Sequence, residues 1–478
     1  CHSGAANRPD FRRGESVFWT DGRSTGFGKS YLDMMPYVRR PGPESNQHML
    51  PPLEFHTSTS ELIQMLEKGH KGVKLDDQSM RMLRTWIDLN VPFHGTWTET
   101  YKKIPWDDHK RRAWALAKYA NRHDDQNAIT YDGGVQKFVA PDAPKTHAGK
   151  KAPKVDGFPF DASAAAKMRD DTKLPKELVA DLGGGVQMRF TLIPAGKFVM
   201  GTNSKYYDEG PAQVAEVSKP FYMAQLETTN RQYKAFDANY DSGHLDRHWK
   251  DHVNPGYPAN KPEQPVIRVS WNNAEQFCKW MSEKLGVKVS RPTEKQWEWA
   301  ARGGSDKDFW FGKVGDNYGA FDNLADYNTR HFAVDGIDPQ PVVNPNPYID
   351  YVPKDSDVDD NELIMCEVGK YKPNPFGLYD INGNVAEWTA DDYTETLGGA
   401  KVADRKTVRG GSWRDRAKWA RVSVRRNYAP WQGVYNVGFR VVIDDAQKAA
   451  QLFKPAKPLP QAKEHETTPR PDSLAKVK

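Results

Sequence analysis

Apolar positions along the chain change rhythm several times. Between residues 60 and 89 they recur at helical spacing. Leu62, Ile63 and Leu66 share one face, with Ser60 placed to cap the helix and Gly69 to stop it. Met80, Leu83 and Ile87 form a second stripe along a helix predicted from Asp77 to about Leu89. From about 105 to 182 the rhythm fades into Lys and Asp clusters. One helix is predicted there over Arg112–Ala120, and the remainder reads as an extended linker. From 183 to 445 short apolar runs between turns predict strands, with a hairpin in 189–200 turning at Pro194–Gly196. Thr229 with Gln232 and Thr293 with Gln296 are capping boxes that open helices. Ser270 starts a longer one, burying Ala274, Phe277, Cys278, Met281 and Leu285 and ending at Gly286. From Ala446 onward Pro, Lys and Ala predict a mobile tail. The fold class is α+β: a helical segment at 1–104, a linker at 105–182, a strand-rich domain at 183–445 and a tail at 446–478.

Composition narrows the classes. A 38% hydrophobic and 12% aromatic content supports a real core, so wholesale disorder is excluded. No apolar run approaches the ~18–20 residues that a membrane helix needs. A net charge of +5 is nearly balanced for 68 Lys plus Arg, which argues against a dedicated nucleic-acid binder. Three cysteines, Cys1, Cys278 and Cys366, cannot form a disulfide framework. Cys1-His2 opens the sequence with no signal peptide ahead of it, which reads as a processed chain or a fragment. The run 22–30 misses a phosphate-binding loop because its first Gly is one residue out of register.

The 183–445 segment carries a long ordered series of motifs. They include Ile193-Pro-Ala-Gly-Lys-Phe-Val-Met-Gly201, Leu226-Glu-Thr-Thr-Asn230, Arg291-Pro-Thr-Glu-Lys-Gln-Trp297, Asn374-Pro-Phe-Gly-Leu-Tyr-Asp380, Arg409-Gly-Gly-Ser-Trp413 and Asn436-Val-Gly-Phe-Arg440. Together they resemble the formylglycine-generating enzyme, or sulfatase-modifying factor, family, a variant of the C-type-lectin-like fold with much irregular structure. The resemblance implies two copper-holding cysteines shortly after the Gly-Gly-Ser-aromatic motif. Asp415 and Ala420 stand at those positions, and a carboxylate with a methyl cannot hold Cu(I). Formylglycine synthesis by that route is therefore not expected. Cys278 reads as core, and Cys366 as a loop cysteine without a partner.

Other features are left with two readings each. The resemblance implies two calcium sites. One would use Asp380, Glu387 and the carbonyls of Gly383 and Val385; the other Asn323, Asp360 and the carbonyls of Leu324 and Glu362. Asp380 and Glu387 could equally cap turns. Ser412, Asp415, Trp419, Arg421, Arg425, Arg426 and Trp431 form a candidate ligand cleft for an anion, sugar or peptide, or a structural ion-pair cluster. His244, His248 and His252, spaced by four, could ligate a transition metal or sit in an exposed loop.

The first hundred residues carry a shorter resemblance. Cys1-His2, the run from His56 to Leu75 and the run from Thr85 to Trp97 look like planctomycete-type c-type cytochrome segments. That implies haem c on Cys1 and His2, with His56 or His70 as distal ligand. The competing reading of Cys1 is a lipoprotein anchor. Both place the protein in the periplasm or outside the cell. The expectation is an exported, non-catalytic accessory protein beside other subunits of a haem-containing periplasmic or cell-surface assembly. The alternative is a non-haem iron or copper oxidase with altered ligands.

Overall fold

The computed structural model describes residues 16–17, 27–39, 53–70, 75–93, 108–123, 146–203, 206–245, 257–329, 354–355 and 357–459. They divide into two compact units, one from 1–40 and 60–144, the other from 41–59 and 145–478.

In the first unit a two-residue ladder joins β1 (Ser16–Val17) to β2 (Phe27–Gly28). Helices α1 (Lys29–Met34), α2 (Glu61–Glu67), α3 (Asp77–Asp88) and α4 (Asp108–Ala120) follow. The helices expected from spacing are present, α4 beginning earlier than expected. Asp76 caps α3 by accepting from Ser79 N at 2.7 Å. Ser60 does not cap α2; its hydroxyl accepts from Arg39 N instead. Of the α3 stripe only Ile87 is buried. Tyr31 packs against Phe93 at 4.8 Å and donates to Val91 O at 2.8 Å.

The second unit opens with α5 (Ala162–Asp171), β3 (Glu177–Gly183), β4 (Val186–Ile193), β5 (Gly196–Met200), β6 (Gln213–Val217) and β7 (Phe221–Ala224). Then come α6 (Asn230–Lys234), β8 (His244–Leu245), β9 (Tyr257–Pro258), α7 (Trp271–Leu285) and α8 (Glu294–Arg302). It closes with β10 (Ala386–Thr394), β11 (Lys401–Arg409), β12 (Arg426–Tyr428), β13 (Val437–Gly438), β14 (Val442–Ile443), α9 (Ala446–Leu452) and β15 (Lys454–Pro455). A five-stranded sheet runs β14-β7-β4-β3-β15 and a four-stranded sheet β12-β11-β10-β13. Both capping boxes form, at Thr229–Gln232 and Thr293–Gln296, and Gly286 ends α7 at φ 69°.

Among the described residues three apolar clusters lie in the unit, two of them large. One cluster holds Phe277 and Met281 of α7 with Phe190 and Leu192 of the larger sheet, and another holds Trp297 and Trp299 of α8 with Ile193, Phe198 and Phe221. Two indole N–H groups find backbone acceptors: Trp299 donates to Pro194 O and Trp388 to Val269 O, each at 2.8 Å.

Three expectations are corrected here. The run 189–200 is not a hairpin: β4 is already flanked by β3 and β7, so the turn after Ile193 sends β5 to pair with β6. The linker at 105–182 is not extended throughout. Phe158 and Ala165 lie in the same cluster as Trp299, Phe160 meets the Trp299 ring at 5.6 Å, and β3 is an interior strand of the larger sheet, between β4 and β15. The tail does not begin at Ala446: α9 is capped by Asp445, Ala449 is fully buried and β15 pairs with β3. A chain cut to begin at residue 183 is therefore expected to lose most of its stability. Removing one core Phe side chain alone costs about 3–5 kcal/mol, and a circular-dichroism melt checks it.

Candidate functional site

β11 delivers Arg409 into the interior and hands over to Gly410 and Gly411, whose φ values of 100° and 83° suit glycine. A Cβ on Gly411 would lie 2.5 Å from the Ala420 Cβ, so the two strands of this loop touch. Within it Ser412 Oγ donates to Asp415 Oδ2 at 2.7 Å, and Asn436 Nδ2 donates to Ser412 Oγ at 2.8 Å. Arg426, on β12, donates Nη2 to Asp415 Oδ1. Burial works against the Arg426 charge, yet the Asp415 carboxylate more than offsets it and raises its pKa. Backbone bonds pin the loop: Ala325 N to Asp415 O at 3.0 Å, and Asn382 Nδ2 to Ala420 O at 3.1 Å.

The remaining expected cleft residues are spoken for. Arg421 forms a bidentate pair with Glu209, both bonds 2.8 Å, and Arg425 one with Glu294, both 2.7 Å. Glu294 also meets Arg409, and Glu298 holds Arg409 and Arg302. Burial alone would raise both glutamates; Arg425 and Arg409 hold Glu294, and Arg302 and Arg409 hold Glu298, below the usual range. Trp419 is buried and rests on Tyr206 at 5.4 Å, whereas Trp431 is 57% exposed. Of the two readings left open for this group, the ion-pair cluster is the one observed: Arg421, Arg425 and Arg426 belong to an interior ion-pair lattice. The motif stretch shows the arginines, but their acceptors Glu294 and Glu209 lie 131 and 212 positions earlier.

The two implied calcium groups differ in how well they fit. Asp380, at φ 55°, accepts from Gly369 N at 2.6 Å through Oδ2, and its buried Oδ1 has no donor. Burial pushes Asp380 up to about 6. Glu387 is committed elsewhere: Arg440 Nε donates to Oε1 at 2.7 Å and Trp297 Nε1 to Oε2 at 2.8 Å. In the second group Asp360 is bonded to the backbone of its neighbours. Asp360 accepts from Leu324 N at 3.0 Å and Glu362 N at 2.9 Å, and Asn323 donates to Ile364 O at 2.9 Å. Asp326, outside the implied set, accepts from Asp360 N at 2.5 Å; burial foremost raises both carboxyls. Its oxygen-only chemistry suits a hard cation.

Among the described residues no three His, Cys, Asp or Glu side chains are arranged to hold a metal. His244 lies in β8, its carbonyl accepting from Arg268 at 3.0 Å; His248 and His252 lie outside the described residues. Cys1 and His2 also lie outside them. His56 Nδ1 bonds Ser58 Oγ at 2.8 Å in the second unit, while half-buried His70 follows α2 in the first. Cys278 and Cys366 are both buried, which pushes both thiols up, Cys278 to about 12, and leaves little thiolate.

Several important groups were not singled out from sequence. Glu227 stands inside the quoted Leu226–Asn230 motif and accepts from Asn384 Nδ2 at 2.6 Å and Val385 N at 2.9 Å. Asp322 immediately precedes Asn323, which was a signal available to be read.

A loop with this ladder, a Gly-Gly-Ser turn and the α8 tryptophans agrees with what comparison finds: the Sulfatase-modifying factor enzyme 1-like domain family matches residues 186–445. The chain belongs to this family. The bovine "Inactive C-alpha-formylglycine-generating enzyme 2" is 28% identical over 306 residues, covering 54% of this chain and 89% of that protein. The bovine "Formylglycine-generating enzyme" is 25% identical over 303 residues, covering 53% and 74%. A solved structure titled "Structure of PvdO from Pseudomonas aeruginosa" is 24% identical with a TM-score of 0.43, covering 56% of this chain and 98% of that one. Active and inactive members of the sulfatase-modifying factor family thus align alike, and only the site residues can separate them. No helix among the described residues is long and apolar enough to cross a membrane.

Proposed function

We propose that the family domain of this chain is a non-catalytic accessory or binding module. One observation carries the reading: Asp415 and Ala420 occupy the positions of the implied copper cysteines, and Asp415 is locked between Ser412 and Arg426. A soft monovalent metal finds no thiolate there. The alignment with an inactive formylglycine-generating enzyme supports the same direction. Without a metal, the Asp415–Arg426 pair supplies the cross-link that holds the Ser412–Ala420 loop. Titration of the purified chain with Cu(I) against a competing chelator tests this. The chain is expected to leave the copper with the chelator, and stoichiometric capture abolished by Asp415→Asn would overturn the reading in favour of an altered-ligand oxidase.

Export and a place in a haem-bearing assembly extend this proposal. They rest on the cytochrome-like runs 56–75 and 85–97 together with Cys1-His2. A natural-length chain whose Soret absorption survives acid–acetone extraction is the expected result; a colourless one removes the haem and leaves the domain reading intact.

A further inference from the structure

We infer that the second unit carries a peptide-docking surface, centred on Arg268 and Gln432, that reads a glutamate followed four residues later by a serine. Residues 53–59 occupy it as a built-in, displaceable ligand. This stands independently of how the Asp415 loop is read. Residues 41–59 group with 145–478, although the chain on either side of them, 1–40 and 60–144, belongs to the first unit. A short stretch inserted in this way is held by its own contacts, and those contacts are polar. Its buried members are Glu54, Thr57 and Thr59, whereas Leu53 is 43% exposed. The two large apolar clusters of the unit take no residue from 53–59. A segment seated with so little apolar burial opens at low cost.

The receiving side is built by the domain itself. Arg268 takes the left-handed conformation, φ 59°, which is uncommon for a residue with a long side chain. Its backbone is fixed there: Arg268 N donates to Val434 O at 3.0 Å, and a Cβ on Gly433 would lie 2.4 Å from Arg268 O. The guanidinium is oriented by two carbonyls, Nη1 donating to Ser242 O and Nη2 to His244 O at 3.0 Å. Its Nε–Nη2 edge then meets a carboxylate. Glu54 supplies it as a bidentate pair, with Nε to Oε2 at 2.8 Å and Nη2 to Oε1 at 2.9 Å. A planar fork aimed in advance selects a carboxylate over a neutral group of the same size.

The second contact lies on the loop that fixes Arg268. Gln432 is buried, its N donates to Ala429 O at 3.0 Å, and its Nε2 donates to Ser58 Oγ at 3.0 Å. The segment presents both groups in register through its own turn. His56 N donates to Leu53 O at 3.1 Å, Thr59 N to His56 O at 2.9 Å and Ser58 N to His56 Nδ1 at 3.2 Å. Four residues beyond Gln432 the same loop reaches Asn436, the donor to Ser412 Oγ. A partner protein that offers a glutamate and a serine in such a turn would compete for the same seat. A tethered segment competes at an effective concentration on the order of millimolar, so weakening its own contacts opens the surface to that partner.

The test uses the full chain and a fluorescently labelled synthetic peptide with the sequence of residues 52–60, followed by anisotropy. In the full chain, Glu54→Gln with Ser58→Ala weakens the built-in contacts and leaves Arg268 and Gln432 untouched. The double variant is expected to bind the peptide at least about tenfold more tightly than the unaltered chain does. The same peptide carrying Glu54→Gln is expected to bind the double variant about tenfold more weakly, because it brings no charge to the guanidinium. Equal binding of the two peptides overturns the assignment to Arg268. Equal binding by the two chains overturns displacement, and no binding by the double variant at about millimolar peptide overturns the docking surface itself. Circular dichroism of the double variant separates loss of the surface from unfolding.

Discussion

Replacing Asp415 with Ala is expected to destabilise the second unit by about 3–5 kcal/mol, because it leaves the Arg426 guanidinium buried without its carboxylate. Both side chains are only 9% exposed, so water cannot compensate. The loss spreads beyond one pair. Ser412 loses its acceptor and Asn436 remains tied to a hydroxyl with nothing behind it. The companion experiment is Asp415→Leu with Arg426→Met. Exchanging both members of a buried pair for apolar groups is often neutral, so the double variant is expected to recover at least about 2 kcal/mol relative to the single one. Denaturant melts of the single and double variants measure this. A single variant as stable as the parent would show that the pair is not the cross-link described above.

Glu298→Gln is expected to be at least as costly, about 3–5 kcal/mol. Glu298 is fully buried and serves two arginines: Arg302 at 2.7 Å on its own helix, and Arg409 at the end of β11. It also accepts from Gly201 N at 2.7 Å, joining α8 to the strand β5. Neutralising it leaves buried Arg302 without a carboxylate and Arg409 with Glu294 alone. The same network fixes a direction for acid unfolding. Glu294 and Glu298 have folded pKa values below the 4.5 they start from. Their stabilisation is therefore complete above about pH 4.5 and is lost as pH falls through the lower folded values. In Glu298→Gln that part of the acid limb is expected to flatten, which melts taken at successive pH values below the usual glutamate range will show.

Much of the scaffold was legible because its signals are local. Thr229 with Gln232, Thr293 with Gln296 and the Ser270–Gly286 helix each declare themselves within a few residues. Trp297 and Trp413, both in the quoted motifs, are fully buried, as are Trp299 and Trp388. What was missed is long-range. The hairpin at 189–200 follows from local turn chemistry but fails because both edges of β4 are occupied by β3 and β7. Phe158, Phe160 and Ala165 are too few to give a period, yet they pack on the face of Trp299 and Phe198. The choice between a ligand cleft and an ion-pair cluster stayed open for the same reason. Arg421 and Arg425 sit near Asp415 in sequence, while the carboxylates that neutralise them arrive from a 3-10 turn at Tyr207–Glu209 and from the start of α8. Asp322 and Glu227 show the converse: both lie beside residues that the family pattern already marks, and only their burial and bonding reveal what they do.

On the function proposed above, this family domain does not oxidise cysteine. The most direct test is to incubate the purified chain with a cysteine-containing sulfatase peptide, Cu(I), oxygen and a thiol reductant, and to follow the peptide by mass spectrometry. The peptide cysteine is expected to stay unmodified while an active formylglycine-generating enzyme converts it under the same conditions. Copper-dependent formation of formylglycine by this chain would contradict it.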